Sequence, residues 1–355
     1  MIQRSANYPA HQFRNLIVAV LTVLAVFATT VVLAPLADAK RSQGTIVVAN
    51  RESGTLTLID VATDSPTKLE MPPAENPSSP MYVVHARGNV FVGDRGNDRV
   101  VVFDKSDWSV VGEVPTDAGV FHMWADPSGR ELWVNNDVDN TITVIDTRKL
   151  AVSATIALPA DLTDRGGKPH DVILDRKAAY VTMLGLDGDS DVVIKYDRRN
   201  LSEVARADVG KDPHVTLAPN RKQLFVASQD SSEVAVLNRR DLAAEGVLGI
   251  PGAHGIDIDR KGRNVYVTNI SGGGTDALHV LDGRNLTPIG DPVDSPYPVP
   301  HNIVLTGAND KLYLTHSGGT SAKVTVYTVS KRNPEPVYLT EVNVGLNPFG
   351  LEFVP

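Results

Sequence analysis

The chain has 355 residues, 42% of them hydrophobic and 21% charged, a balance that excludes an intrinsically disordered protein. A formal net charge of −8 argues against a nucleic-acid partner, which needs a basic footprint. The sequence has no cysteine, which excludes disulfides, thiolate metal sites and covalent c-type haem attachment.

Residues 1–39 read as an export signal. Arg4 and Arg14 precede a charge-free apolar stretch from Asn15 to Ala37, and Ala37-Asp38-Ala39 then forms an A-x-A cleavage site before Lys40. Cleavage predicts a periplasmic or secreted chain beginning at Lys40. The loss of Arg4, Arg14 and Asp38 takes the net charge from −8 to −9. Retention of the stretch, which is long enough to span a bilayer, would make it a membrane anchor instead. No Arg-Arg pair precedes it, which favours the general secretion route over the twin-arginine route.

From residue 44 onward the chain repeats. A β run recurs as IVVAN (46–50), VFVGD (90–94), LWVNN (132–136), YVTM (180–183), LFVAS (224–228), VYVTN (265–269) and LYLTH (312–316). A second, alternating run follows each one: TLTLID (55–60), RVVVFD (99–104), TITVID (141–146), VVIKYD (192–197), EVAVLN (233–238), ALHVLD (277–282) and KVTVYT (323–328). The polar residues closing these runs, such as Asp104 and Asp146, are expected to form turns rather than to catalyse. A third run precedes the first, for example PHDVILDRK (169–177) and PHNIVLTG (300–307), and a variable fourth run completes the unit. Four strands at a period of 40–50 residues predict a propeller blade.

Residues 44–71 supply the last three strands of a blade, and residues 348–355 supply a first strand. The expected fold is therefore an all-β, seven-bladed β-propeller over 40–355, closed by a 1+3 pairing of the two ends that leaves no open sheet edge.

VYVTN at 265–269 and TITVIDT at 141–147 resemble the signature of YVTN-type repeat propellers. The resemblance implies the fold and leaves the function open.

Strand direction places the short polar turns, such as DRKA and DRKGRN, at one end of the channel. The longer loops at 161–168, 184–191, 271–276, 291–299 and 317–322 lie at the other end, the top, which is the expected working face for a protein or small-molecule partner. The alternating Asp187, Asp189 and Asp191 lack the Glu of a calcium loop and read as a solvated turn.

The second residue of each first strand reads Met81, His122, His170, His214, His254, His301 and Phe349, at spacings of 40–48 residues. Five consecutive blades thus aim an imidazole at the channel mouth. Imidazole suits copper, zinc, iron or nickel, and copper heads the affinity order for nitrogen sites. Met81 offers a thioether, and His316, ending a second strand, is expected at the same end. The residues equivalent to His316 in other blades (Asn50, Asp94, Asn136, Met183, Ser228, Asn269) are expected to orient the ring imidazoles. His85 and His279 lie away from the ring and are assigned no function.

This ring resembles the copper-cluster propeller of nitrous oxide reductase. The resemblance implies that His122, His170, His214, His254 and His301 ligate copper. Met81 and Phe349 interrupt the pattern, and there is no Cys for an electron-entry copper, so it does not imply nitrous oxide reduction. The ring also resembles d1-haem propellers, whose haem takes an axial His on the ring axis. The sequence therefore supports a transition-metal protein, copper first, with redox activity as one outcome. A non-catalytic scaffold that holds a protein, peptide or polysaccharide on its top face is the other.

Overall fold

The structure is a computed structural model that describes residues 43–218, 222–270, 276–330 and 332–355. The leader read over 1–39 and most of the 271–276 loop lie outside the described residues. The propeller belongs to a compact unit spanning Arg41–Pro355.

Seven four-stranded antiparallel sheets are arranged as blades. Their innermost strands are β4 (Pro80–Ala86), β8 (Val120–Ala125), β12 (Lys168–Leu174), β16 (Pro213–Leu217), β20 (Ala253–Ile258), β24 (Pro300–Leu305) and β28 (Pro348–Val354), which head blades 1 to 7 in that order. Blade 7 joins both ends of the chain: β28 pairs antiparallel with β1 (Thr45–Asn50), so Val47 faces Glu352 and Asn50 faces Pro348. The expected closure is thus present.

The core lies between blades rather than within them. Each hydrophobic cluster takes side chains from two neighbouring sheets. Trp133, Ile142 and Val144 of blade 2, for example, pack against Val172, Val181 and Ile194 of blade 3. Ile46 and Val48 pack in the same way on Tyr313 and Val326 across the closure. At about 1.5–3 kcal/mol for each fully buried large aliphatic side chain, this packing makes the ring rigid. The closing residues of the third strands act as expected: Asp104, Asp146, Asp197, Asn238 and Asp282 each accept the backbone N–H two residues on.

One feature of the inner strands positions the site. In β8, Val120 faces Asn136 but Met123 faces Val134, so three residues advance against two. The same bulge occurs in β4, β12, β20, β24 and β28, at residues 81–82, 170–171, 254–255, 301–302 and 349–350. Only β16 runs unbroken past His214, which faces Ala227. A bulge adds an unpaired residue and re-aims side chains, so two successive residues of each bulged strand reach the channel. At Gly255 and Gly350 the second of these must be small. A Cβ on Gly255 would lie 2.2 Å from His301 O, and one on Gly350 would lie 2.6 Å from Met81 O.

Candidate metal centre

Register corrects one feature of the expected ring. Counted from the residue that opens each pair, the first bulge position reads Met81, Phe121, His170, His214, His254, His301 and Phe349. His122 therefore holds the second bulge position of blade 2, beside Tyr82, Asp171 and Asn302 of other blades, and Phe121 takes the place expected for it. Because a bulge aims both residues inward, His122 still reaches the cluster.

The five imidazoles form a continuous arc. Ring centroids are 5.1 Å apart for His122–His170, 4.5 Å for His170–His214, 3.9 Å for His214–His254 and 4.4 Å for His254–His301. His122 also approaches His214 at 5.3 Å. Aromatic rings close the circle: Phe349 lies 4.3 Å from His301, and Tyr82 lies 3.8 Å from His122. Met81 is wholly buried in the blade 1 position. All five histidines are buried, at 3–6% exposure.

Within the arc one subset is poised to chelate. One nitrogen from each of His122, His170 and His214 lies within 4.8 Å of the other two. The Nε2 atoms of His170 and His214 are 3.1 Å apart. Two nitrogens on one tetrahedral ion, each at about 2.0–2.1 Å, stand roughly 3.3 Å apart.

Two carboxylates that the sequence reading passed over hold this subset. Asp171 follows His170 in the bulge. Its Oδ1 accepts the backbone N–H of Val172 at 2.7 Å and lies 2.9 Å from His122 Nδ1; its Oδ2 accepts the N–H of Val215 at 2.9 Å and lies 3.7 Å from His214 Nδ1. An acceptor at Nδ1 puts the proton there and leaves Nε2 as a lone pair. His122 Nε2 is indeed buried without a partner. Asp212, in the left-handed region at φ +56°, places Oδ1 3.2 Å from His170 Nε2. It is tied down by its own N–H, which donates to Asp191 Oδ2 at 2.9 Å. The available sequence signal was adjacency: both aspartates flank ring histidines, in Pro-His-Asp and Asp-Pro-His.

The electrostatics suit neutral imidazole ligands. Burial lowers the pKa of His122 and drives those of His170, His254 and His301 well below the usual histidine value, with the neighbouring imidazoles adding to the shift for the last three. Burial opposes ionisation of Asp171, but His122 and His214 outweigh it and hold the carboxyl far below its usual range. Burial raises Asp212, with His214 pulling the other way. Two guanidiniums lie over the aromatic side of the mouth: Arg51 is 5.6 Å from the Phe349 ring centroid and Arg95 6.0 Å from that of Phe121.

His316 does not join the ring. Its Nε2 lies 2.9 Å from Thr325 Oγ1 and its Nδ1 3.2 Å from Pro298 O, so both nitrogens are used within blade 6. The residues expected to orient the imidazoles also turn away. Asn50 bonds Thr55 and Thr57, Asn136 bonds Thr141 and Thr143, and Asp94 pairs with Arg99. The preceding residue of the second strand instead anchors the backbone of the ring strands. Asn135 donates to His170 O at 3.0 Å, Thr268 to His301 O at 2.8 Å and Thr315 to Phe349 O at 2.9 Å, each reaching into the next blade. The alternation of side chains along a strand explains the exchange: adjacent residues face opposite sides. Asp187 and Asp191 of the 184–191 loop are occupied by Arg165 and Lys211.

Comparison with known proteins bears on the family and the fold. The profile described as the cytochrome D1 heme domain matches residues 36–213. No curated protein sequence matches the chain. Among solved structures, a protein from Lactobacillus plantarum is similar at TM-score 0.71 and 17% identity, over 88% of this chain and 100% of that one. The periplasmic gluconolactonase of Pseudomonas aeruginosa is similar at TM-score 0.70 and 16% identity, over 88% and 99%. A putative 6-phosphogluconolactonase from Bacteroides fragilis is similar at TM-score 0.69 and 16% identity, over 88% and 98%. At these identities the likeness shows the fold alone.

Proposed function

The chain belongs to the cytochrome D1 heme domain family, and we propose from that membership and from the histidine cluster that it binds a transition-metal ion, copper in first place, at the top of its channel. His122, His170 and His214 supply the nitrogens and Asp212 a carboxylate. The observation that carries the reading is the pair of Nε2 atoms at 3.1 Å, buried beside an unpartnered third imidazole nitrogen. Copper would supply one-electron redox chemistry there.

The family's name refers to a haem, and the channel beneath the imidazoles does not fit one. The channel cavity that touches His122, His214 and His254 holds about 140 Å³, whereas sites for drug-sized ligands run to about 300–1,000 Å³. The mouth is filled by imidazole, Tyr82 and Phe349 rings in contact. A bare ion needs no such space, and the donor set of neutral imidazoles with a carboxylate is one that copper and zinc accept.

The protein's own groups do the preparatory work. Asp171 fixes the tautomer of His122 and places its second oxygen 3.7 Å from His214 Nδ1. His170 Nε2 shares a hydrogen bond with His214 Nε2 and lies 3.2 Å from Asp212 Oδ1, so a proton held between the two nitrogens must leave when the ion arrives. Copper as first choice also rests on export, since a periplasmic or secreted chain meets the metal without competing cytosolic thiols. Intact mass of the exported protein, expected to begin at Lys40, checks that part.

Elemental analysis of protein purified without a nickel column tests the reading, together with Cu(II) titration of His214→Ala and His279→Ala. His214→Ala is expected to abolish tight binding and His279→Ala to leave it unchanged. Parent-like binding by both, or none by the parent at neutral pH, overturns it.

A further inference from the structure

The end of the propeller opposite the imidazoles carries a feature that the metal site does not use. Two adjoining clefts, of about 590 and 580 Å³, lie under blades 3 to 5 and share Asp175, Lys177 and Arg239 as a common wall. Among the described residues they are together lined by eight basic and three acidic side chains, in a chain whose net charge is −8. The acidic groups with the closest partners are neutralised internally: Asp175 by Arg239 at 2.6 Å and Asp259 by Arg263 at 2.9 Å. By contrast, Arg176, Lys177, Arg240, Arg260 and Lys261 are exposed and enter no ion pair among the described residues. Burial lowers the pKa of Lys195, with Asp175 opposing and Arg239 adding to the shift, and its ammonium donates to the carbonyls of Arg239 and Arg240 at 3.0 and 2.7 Å.

Apart from Asp259, which Arg263 neutralises, the inner wall of the second cleft is apolar. Pro127, Leu217, Ala218 and Ile258 line the second cleft. A cationic rim over a recessed apolar floor sets the chemistry of the occupant. A flat anionic lipid surface would meet the rim and leave the floor empty. A nucleic acid would want an accessible ring for stacking, but Tyr180, the aromatic residue of the first cleft, is 1% exposed. An extended peptide satisfies both parts, with carboxylates to the rim and an alternate apolar side chain to the floor.

We propose that these two clefts form one docking groove for an acidic, partly apolar segment of a partner protein, independent of the metal centre. Charge complementarity of this kind speeds association and weakens with salt.

The test is fluorescence anisotropy of the full chain with a labelled random copolymer of glutamate and tyrosine, run beside polyglutamate, anionic phospholipid vesicles and a single-stranded oligonucleotide. The copolymer is expected to bind at least threefold tighter than polyglutamate and tighter than vesicles or oligonucleotide, with affinity falling as salt rises. Arg176→Glu/Lys261→Glu should lower copolymer affinity at least tenfold. Lys68→Glu/Arg148→Glu, exposed elsewhere, should change it less than twofold. All variants must melt like the parent. Equal losses in both double variants, no loss in the first, or preferential binding of vesicles or oligonucleotide would overturn the proposal.

Discussion

Replacing Asp171 by Asn would separate the tautomer argument from mere proximity of histidines. Each oxygen of Asp171 receives one backbone N–H and faces one imidazole Nδ1. An amide can keep only one of those positions as an acceptor. The shorter contact is at Oδ1, 2.9 Å from His122 Nδ1, so the carbonyl is expected to stay there and the NH₂ to turn towards Val215 N–H and His214. The Val215 N–H then loses its acceptor inside the channel, at a cost of about 1–3 kcal/mol. His214 Nδ1, 3.7 Å from Oδ2, then loses the adjacent carboxylate charge and faces an NH₂ instead, which disfavours a proton at Nδ1 and favours one at Nε2, the atom required as a ligand. Loss of such an orienting carboxylate typically costs about 10–100-fold in metal affinity, or about 1.4–2.8 kcal/mol. The measurements are a thermal melt of the metal-free protein and competitive Cu(II) titration at pH 7 against a chelator of known affinity. A variant that melts a few degrees lower yet binds copper like the parent would refute the tautomer argument.

Other expectations follow from the same geometry. The metal-free protein should lose stability as pH falls below about 6.5: His122, His170, His254 and His301 are held neutral by burial, so the unfolded chain takes up their protons first, each worth about 1.4 kcal/mol per pH unit until the folded pKa is reached. A flat melting temperature between pH 6.5 and 5 would contradict this. Glu352, at the lower end of the same cavity, is pushed up to about 8 by burial and then by Asp257; a raised carboxyl pKa costs stability as pH rises above its unfolded value near 4.5. Glu352→Gln should therefore raise the melting temperature at pH 8 and change it little at pH 4; the reverse pattern would be a failure. Deleting 348–355 removes the strand paired to Thr45–Asn50 and bares a sheet edge, so insolubility or a much lower, broadened melt is expected, and an unchanged melt would remove the closure argument. His316→Ala, which strips the partners of Thr325 and Pro298, should cost about 2–4 kcal/mol in a denaturant titration while leaving copper affinity unchanged; a tenfold affinity loss would return His316 to the site.

The fold was legible because the repeat is carried by the backbone itself. Strand alternation and the Asx turn after each third strand recur in every blade but the sixth, which ends on Thr328, and a missing first strand at one end was matched by an extra one at the other. The site was legible only in outline. Counting from the histidines put His122 in the same column as His214, because a bulge leaves no mark in a residue count, and the frame shows only once Val120 is seen opposite Asn136. Strand alternation, rather than a bulge, hid Asn135, Thr182, Thr268 and Thr315 behind their neighbours. Thr182, for instance, accepts the N–H of Asp171 at 2.8 Å, whereas the adjacent Met183 had been assigned that kind of role. Asp171 and Asp212 were missed because a carboxylate beside a histidine in sequence gives no indication that it bonds the histidine of another blade. Arg51 and Arg95 came from outside the ring column, out of the turns that follow second strands.

The bulges also explain why a rotationally repeated ring ends up chemically lopsided. A seven-fold frame by itself would present seven equivalent positions to one axis. Here each bulge contributes a second residue, and its identity sets what that sector does. In blades 2 and 3 the second residues are His122 and Asp171, which add a ligand and the acceptor that orients it. In blades 5 and 7 they are Gly255 and Gly350, whose missing Cβ lets the next blade's backbone approach. In blade 1 it is Tyr82, which stacks on His122 and shuts that side. Blade 4, without a bulge, sets His214 on a regular strand, facing Asp171 of the blade before it. Chelating power is thereby concentrated at blades 2 to 4, while His254 and His301 extend the arc as neutral, closely stacked rings. Changing second-bulge residues alters the chemistry without touching the strand pairing that holds the ring, so a fold shared at 16% identity with gluconolactonase structures need not share their chemistry.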